Sequence, residues 1–183
     1  AKGESFAKLL HDNGLGVQLA KVHPELENSA PADWLPETPL ARTRVRHTVG
    51  LGDTLIADDV PAGSAPTDGL PYTLEENIEA YGLTHFKIKL RGIFEIDHER
   101  LKTLAGLLKR LTPNFRHTLD GNEQFADIAT FRSQWDQHRM NPELKDFLGD
   151  EHLIFVEQPL HRDRALGDPV GAELANWPDA PPI

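Results

Sequence analysis

The chain has 183 residues, of which 39% are hydrophobic and 26% are charged, an ordinary profile for a globular protein with one good core. Its formal net charge of -10 argues against a nucleic-acid partner, which would need a basic stripe that the sequence lacks. The absence of cysteine excludes disulfides, thiolate metal sites and cysteine nucleophiles.

The sequence also argues against a membrane partner. No apolar run approaches the length of a bilayer span, and no signal peptide opens the chain, so a cytoplasmic location is the default expectation. The chain starts at Ala1, contains one methionine, Met140, and ends at Ile183 directly after two prolines. We therefore expect a piece of a longer protein.

The N-terminal part of the chain shows little regular patterning. A helix is predicted over residues 4–10 from the helical spacing of apolar residues, and prolines punctuate the segment that follows. A first strand is predicted over residues 43–49 because of its alternation and β-branched content. The loop that follows, over residues 53–71, is long enough to suggest a functional role.

Helices and strands alternate from residue 73 onward. Thr73 and Glu76 form a capping box that predicts a helix ending at Gly82, and Asp97 is predicted to cap a helix with leucines along one face. The other predicted elements are strands over 86–90, 115–119 and 152–156 and helices over 124–138, 142–148 and 168–177. This alternation predicts a parallel sheet covered by helices, either doubly wound or closed into a barrel.

Two lysines share one face of the strand predicted over residues 86–90. Side chains alternate along a strand, so Lys87 and Lys89 lie opposite an apolar face. Two like charges repel and lose hydration when they are buried together, which suggests that an anionic group faces them. A half-exposed strand with solvated lysines is the commoner explanation of an isolated Lys-x-Lys pattern.

Three charged residues lie at or just past the carboxyl ends of successive predicted strands, at spacings that each fit one βαβ unit, namely Lys89, Asp120 and Glu157. The carboxyl ends of parallel strands are where α/β folds place their sites. Asp120 and Glu157 would repel each other unless a cation lay between them, and an all-oxygen pair suits Mg²⁺. A divalent ion would polarise a substrate carboxylate and stabilise the charge left when an α-proton is removed.

Lys89 is the candidate base for that proton. Its position beside Lys87 and a metal would favour its neutral form, which is the form that can accept a proton. Asn122 is a candidate to orient a metal-bound water or the substrate, although forming the turn in Asp-Gly-Asn explains it equally well. His47, His85 and His117 lie on or beside strands, and we expect hydrogen-bonded structural roles for them.

Three motifs, taken together, resemble the second, third and fourth strands of the enolase superfamily, in its mandelate racemase/muconate lactonizing branch. The Glu-Gln-Pro sequence of the third motif is similar to the muconate lactonizing subgroup. The resemblance covers residues 42–183. The motifs are Lys87-Ile88-Lys89, Asp120-Gly121-Asn122 and Glu157-Gln158-Pro159-Leu160.

The resemblance implies a fold and a set of roles. Residues 42–183 would be strands 1 to 4 of a (β/α)8 TIM-type barrel with their helices, and residues 1–41 a capping-region remnant and linker. Asp120 and Glu157 would bind Mg²⁺, Lys89 would be the catalytic base, and Lys87 would orient or neutralise the substrate carboxylate. The family's third metal carboxylate and its opposite-face acid or base would lie beyond Ile183.

The activity that the resemblance implies is abstraction of a proton α to a carboxylate, through an enediolate, by a lyase or isomerase. Racemisation or epimerisation, cycloisomerisation and dehydration all stay open, as does a homo-oligomer, and the substrate would be a small carboxylate. A function from another class is a non-catalytic barrel module whose lysines bind an anion such as phosphate, or which serves as a scaffold.

Overall fold

The computed structural model describes residues 3–183 and contains two compact units, Ala1–Arg44 and Val45–Ile183. The described part of the first unit has one α-helix, α1 (Phe6–His11), whose first turn is capped by the Ser5 hydroxyl. Three short 3₁₀ helices follow it, Leu19–Lys21, Pro24–Leu26 and Pro31–Asp33. Of residues 3–44 only Pro31 is buried, so this unit has almost no core of its own.

The second unit is built on a four-stranded sheet. The strands are β1 (His47–Val49), β2 (His85–Lys89), β3 (Arg116–Asp120) and β4 (Leu153–Glu157). They lie in the order β1-β2-β3-β4, and every neighbouring pair is parallel. The predicted parallel α/β sheet is confirmed, although β1 is shorter than the strand predicted from residue 43.

Six α-helices and one short 3₁₀ helix, Ala57–Asp59, accompany the sheet. The α-helices are α2 (Leu74–Tyr81), α3 (Phe94–Leu111), α4 (Ile128–Met140), α5 (Pro142–Phe147), α6 (Arg162–Ala165) and α7 (Asp168–Ala175). Helix α2 begins and ends where its local chemistry predicts, because the Thr73–Glu76 capping box is formed and Gly82 adopts the left-handed conformation with φ 60°. None of the helices in residues 3–183 combines the length and apolarity needed to cross a bilayer.

The core lies between one face of the sheet and the helices. Phe86 and Ile88 of β2 are buried, as is Leu119 of β3. Helix α3 contributes the predicted leucine face, of which Leu104 and Leu108 are fully buried. The alternation along β2 therefore turns its two lysines to the opposite face of the sheet.

Asp97 does not cap α3, contrary to the prediction. The helix begins three residues earlier, after Ile93, and Asp97 lies buried in its first turns. The Asp97 carboxylate accepts hydrogen bonds from the backbone N–H groups of Arg91, at 2.9 Å, and Gly92, at 2.8 Å. It therefore stabilises the turn that leads out of β2, which has a left-handed backbone at Gly92 with φ 72°.

Candidate active site

Three strands bring the predicted site residues to the same end of the sheet. In the parallel register Lys89 lies opposite Asp120, and Asp120 lies opposite Glu157. The three residues end β2, β3 and β4 respectively. Because neighbouring strands are only about 4.8 Å apart, side chains at these positions are close enough to form direct contacts.

Lys87 joins the two carboxylates. Its Nζ lies 2.9 Å from Oδ2 of Asp120 and 2.8 Å from Oε2 of Glu157. The Asp120 side chain is only 3% exposed, and those of Lys87 and Glu157 are each 20% exposed. The ammonium group thus occupies the point on which the two acidic side chains converge.

The second oxygen of each carboxylate is held by a different group. Oδ1 of Asp120 accepts a hydrogen bond of 2.9 Å from the backbone N–H of Asn122. Oε1 of Glu157 lies 3.1 Å from Nη1 of Arg46 and accepts a longer hydrogen bond of 3.4 Å from the Thr118 hydroxyl. One oxygen of each acid is therefore anchored, while the other faces Lys87.

Lys89 lies at the other end of this network. Its Nζ is 3.2 Å from Oδ2 of Asp120 and 2.8 Å from the side-chain oxygen of Asn122. Asn122 also donates its side-chain N–H to the Leu90 carbonyl at 3.0 Å and has a left-handed backbone, φ 48°. It forms the turn after β3 and contacts the candidate base at the same time.

The charges in the network stabilise one another. Hydrogen bonds to Glu157 and then to Asp120 raise the pKa of Lys87 above its ordinary value, so its ammonium stays charged. Burial alone would raise the pKa of Asp120, but hydrogen bonds from Lys87, the Asn122 backbone and Lys89 outweigh burial and lower that pKa. Asp120 and Lys87 therefore face each other as an ionised acid and an ionised lysine near neutral pH.

Arg46 and Thr118 are members of the site that the sequence analysis missed. Arg46 donates to the Thr118 hydroxyl at 3.0 Å, and its guanidinium lies 5.8 Å from the centre of the Phe155 ring. A signal was available, because Arg46 is two residues before Thr48, which pairs with Lys87 in the sheet. Alternation places the three side chains on one face.

The loops after β3 and β4 hold the two acids at a short separation. A Cβ atom at Gly121 would lie 2.6 Å from Cα of Pro159, so only glycine permits this approach. The Gly121 N–H donates to the Glu157 carbonyl at 2.9 Å, and the Glu123 N–H donates to the Gln158 carbonyl at 2.8 Å. Both Glu123, at φ 63°, and Gln158, at φ 46°, have left-handed backbones, which is uncommon outside glycine.

The donor set fits a magnesium ion in part. Two carboxylate oxygens that converge on one cation position, with an amide oxygen nearby, are the hard ligands that Mg²⁺ takes, usually with waters and substrate oxygens completing its shell. Within residues 3–183, however, no three residues among His, Cys, Asp and Glu form a group that could hold a metal. Asp120 and Glu157 would therefore be the whole carboxylate contribution of the described residues.

The three histidines singled out from the sequence lie at or near the starts of their strands, whereas Lys89, Asp120 and Glu157 lie at the ends. His85 has a 2.9 Å hydrogen-bond contact with the Thr84 hydroxyl, and His47 is half-buried. His117 is fully buried and stacks on Phe147 at 4.1 Å. Neither of its ring nitrogens has a hydrogen-bond partner among the described residues, so the expectation of a hydrogen bond there is wrong.

Comparisons of the chain with protein-family models, with curated proteins and with solved structures found no match. The contacts of Lys87, Lys89, Asp120 and Glu157 are therefore the main indication of a function.

Proposed function

We propose that this chain belongs to a Mg²⁺-dependent enzyme that abstracts a proton α to a carboxylate, as a lyase or isomerase of the enolase superfamily. We further propose that β1 to β4 are the first four strands of a (β/α)8 barrel. The parallel order of the strands and the charged side chains on the face opposite the core support this interpretation.

One observation carries the proposal. Oδ2 of Asp120 and Oε2 of Glu157 both lie within 2.9 Å of a single cationic atom, Nζ of Lys87. Two acids of neighbouring strands thus already share a cation, as they would share a divalent ion. A Mg²⁺ ion bound there would supply the positive charge that stabilises the dianion left after proton removal.

The two lysines have separate roles in the proposal. Lys89 contacts one carboxylate and one neutral amide, and its side chain is 32% exposed, so substrate can reach it from solvent. In its neutral form Lys89 accepts the proton as the substrate C–H bond breaks, and the electron pair moves toward the carboxylate. Lys87 stays charged and lies beside the position where the substrate carboxylate would meet the metal.

Hydrogen exchange tests the role of Lys89. The protein is incubated in deuterium oxide with Mg²⁺ and a panel of 2-hydroxycarboxylates and N-acylated amino acids, and loss of the α-proton signal is followed by NMR. Exchange that is present in the wild type and lost in Lys89→Ala supports the proposal, with Lys102→Ala, a half-exposed lysine on α3, as the control. Exchange that persists in Lys89→Ala would contradict the proposed role of Lys89 as the base.

The charge balance of the face favours a second candidate function, which is binding of an anion without catalysis. Three cations, Arg46, Lys87 and Lys89, face two acids, Asp120 and Glu157, in a chain whose overall charge is strongly negative. Calorimetric titration with inorganic phosphate separates the two functions. Phosphate binding that needs Lys89 but not Mg²⁺, without any α-proton exchange, would favour the binding module.

A further inference from the structure

The position of Lys87 suggests how the proposed metal site is regulated, and this inference rests on the proposed function. The Lys87 ammonium lies between Asp120 and Glu157, at 2.9 Å and 2.8 Å from their oxygens. A divalent ion that bound both of these oxygens would need the same space. We infer that Lys87 is an internal competitor of the metal, and that metal binding displaces its ammonium group from the two acids.

The anchoring of the acids makes such an exchange feasible without rearranging the strands. Oδ1 of Asp120 is held by the Asn122 backbone, and Oε1 of Glu157 is held by Arg46 and Thr118. None of these contacts involves Lys87. When the Lys87 ammonium leaves, Oδ2 of Asp120 keeps its 3.2 Å contact with Lys89, and it stays directed at the same point as Oε2 of Glu157.

Displacement also explains why a lysine lies at this position. Without a metal, two adjacent carboxylates on a largely buried surface would repel each other, and Lys87 neutralises that repulsion. With a metal bound, the displaced ammonium has lost both partners and lies next to the metal, where a substrate carboxylate would pair with it. Because the Lys87 ammonium can pair with a substrate carboxylate only after the metal has displaced it, the metal binds first and the anionic substrate second.

The direction in which a Lys87 substitution changes the affinity for a divalent ion follows from charge alone. Replacing Lys87 with a neutral residue removes a competing positive charge and leaves the carboxylates mutually repulsive in the metal-free protein. Both effects increase the affinity for a divalent ion. We expect Lys87→Met and Lys87→Gln each to bind Mn²⁺ about tenfold more tightly than the wild type, which corresponds to about 1.4 kcal/mol.

The experiment is a Mn²⁺ titration followed by electron paramagnetic resonance, with circular dichroism to show that each variant is folded. Lys102→Met, which removes the same charge from a lysine paired with Glu99 on α3, is the matched control and should bind as the wild type does. In proton–nitrogen NMR spectra of the lysine ammonium groups, the wild-type Lys87 signal should shift on saturation with Mg²⁺.

The outcomes separate this inference from the proposed function. Tighter Mn²⁺ binding by both Lys87 variants supports the inference, including the case in which the wild type binds too weakly to detect. Equal or weaker binding by the variants, with wild-type binding that Glu157→Gln abolishes, overturns the inference and leaves the metal site standing. Absence of Mn²⁺ binding in the wild type and in both variants overturns the inference and the metal site together.

Discussion

At the residue scale, the site is a chain of alternating charges in which the two oxygens of each carboxylate have different partners. Arg46, Glu157, Lys87, Asp120 and Lys89 follow one another through contacts of 2.8–3.2 Å. Ion pairs on a protein surface contribute little to stability, but these are partly buried and share partners. Their main effect is to fix where the oxygens and the ammonium groups point.

His117 makes a prediction at the same scale. Burial, followed by the charges of His152 and Arg116, lowers the pKa of His117 to about 3 from 6.5. Between these two values the unfolded chain binds a proton that the folded chain does not, so stability falls as the pH is lowered through this window. The contribution of His117 is about 1.4 kcal/mol per pH unit.

The variant His117→Phe should remove this contribution and make unfolding less sensitive to acid. It also removes a ring whose nitrogens have no hydrogen-bond partner among the described residues. Denaturant unfolding at about pH 7 and about pH 5 measures the change. His23→Phe, at an exposed position, is the control, and an unchanged acid dependence in His117→Phe would contradict this account.

At the element scale, the separation of β3 and β4 depends on Gly121. An alanine there would place its Cβ 2.6 Å from Cα of Pro159 and 3.0 Å from the Gln158 carbonyl oxygen. Because both neighbours are backbone, relief requires the strand ends to move apart. We expect Gly121→Ala to lower the free energy of unfolding by about 1–3 kcal/mol and to weaken Mn²⁺ binding.

A matched substitution tests whether the close approach is the cause. Gly106 lies in the middle of α3, and a Cβ atom there would meet nothing within 4 Å. Gly106→Ala should raise the free energy of unfolding by about 0.5–1 kcal/mol, because glycine is a poor helix former. Thermal unfolding measures both variants, and equal effects would contradict the proposed role of Gly121.

Elements defined by neighbouring residues could be predicted from the sequence. The capping box at Thr73 and Glu76 and the stop at Gly82 involve contacts within one helix, so local chemistry was sufficient. The two faces of β2 likewise follow from alternation alone. The prediction that Asp97 caps α3 is wrong because an aspartate near the start of a helix can either cap the helix or accept hydrogen bonds from the turn before it. Only the path of the chain at Gly92 distinguishes these two roles.

Contacts between strands could be predicted only in part. The spacing of Lys89, Asp120 and Glu157 was enough to place them at neighbouring strand ends, and the parallel register bears out that placement. Alternation can place Arg46 on the charged face of the sheet, but the sequence does not show that Arg46 contacts Glu157, which is distant in the chain. Likewise, the sequence does not show that the ring nitrogens of His117 lack hydrogen-bond partners among the described residues, because this depends on every neighbour of the buried ring.

At the scale of the whole molecule, the hydrophobic core belongs to one of the two units. Every buried hydrophobic side chain among the described residues lies in Val45–Ile183, from Val49 to Trp177. A segment with almost no buried residues contributes little to the burial that stabilises a fold. The sheet and its charged face should therefore form without residues 1–44.

A fragment of residues 45–183 tests this expectation. It should unfold cooperatively and retain the dispersed amide NMR signals of the sheet residues in the whole chain, because their core contacts are intact. Thermal unfolding by circular dichroism, with the whole chain as the control, measures the difference. A fragment that lacks cooperative unfolding would contradict the assignment of the core to this unit.

Asp120 and Glu157 are proposed to bind one divalent ion together. The most direct measurement is Mn²⁺ binding to the whole chain by electron paramagnetic resonance, with Mg²⁺ as the competitor and the exposed Glu151→Gln as the control. We expect Asp120→Asn and Glu157→Gln each to weaken Mn²⁺ binding by about tenfold or more, and Glu151→Gln to leave it unchanged. Mn²⁺ affinity that neither substitution changes would contradict the claim.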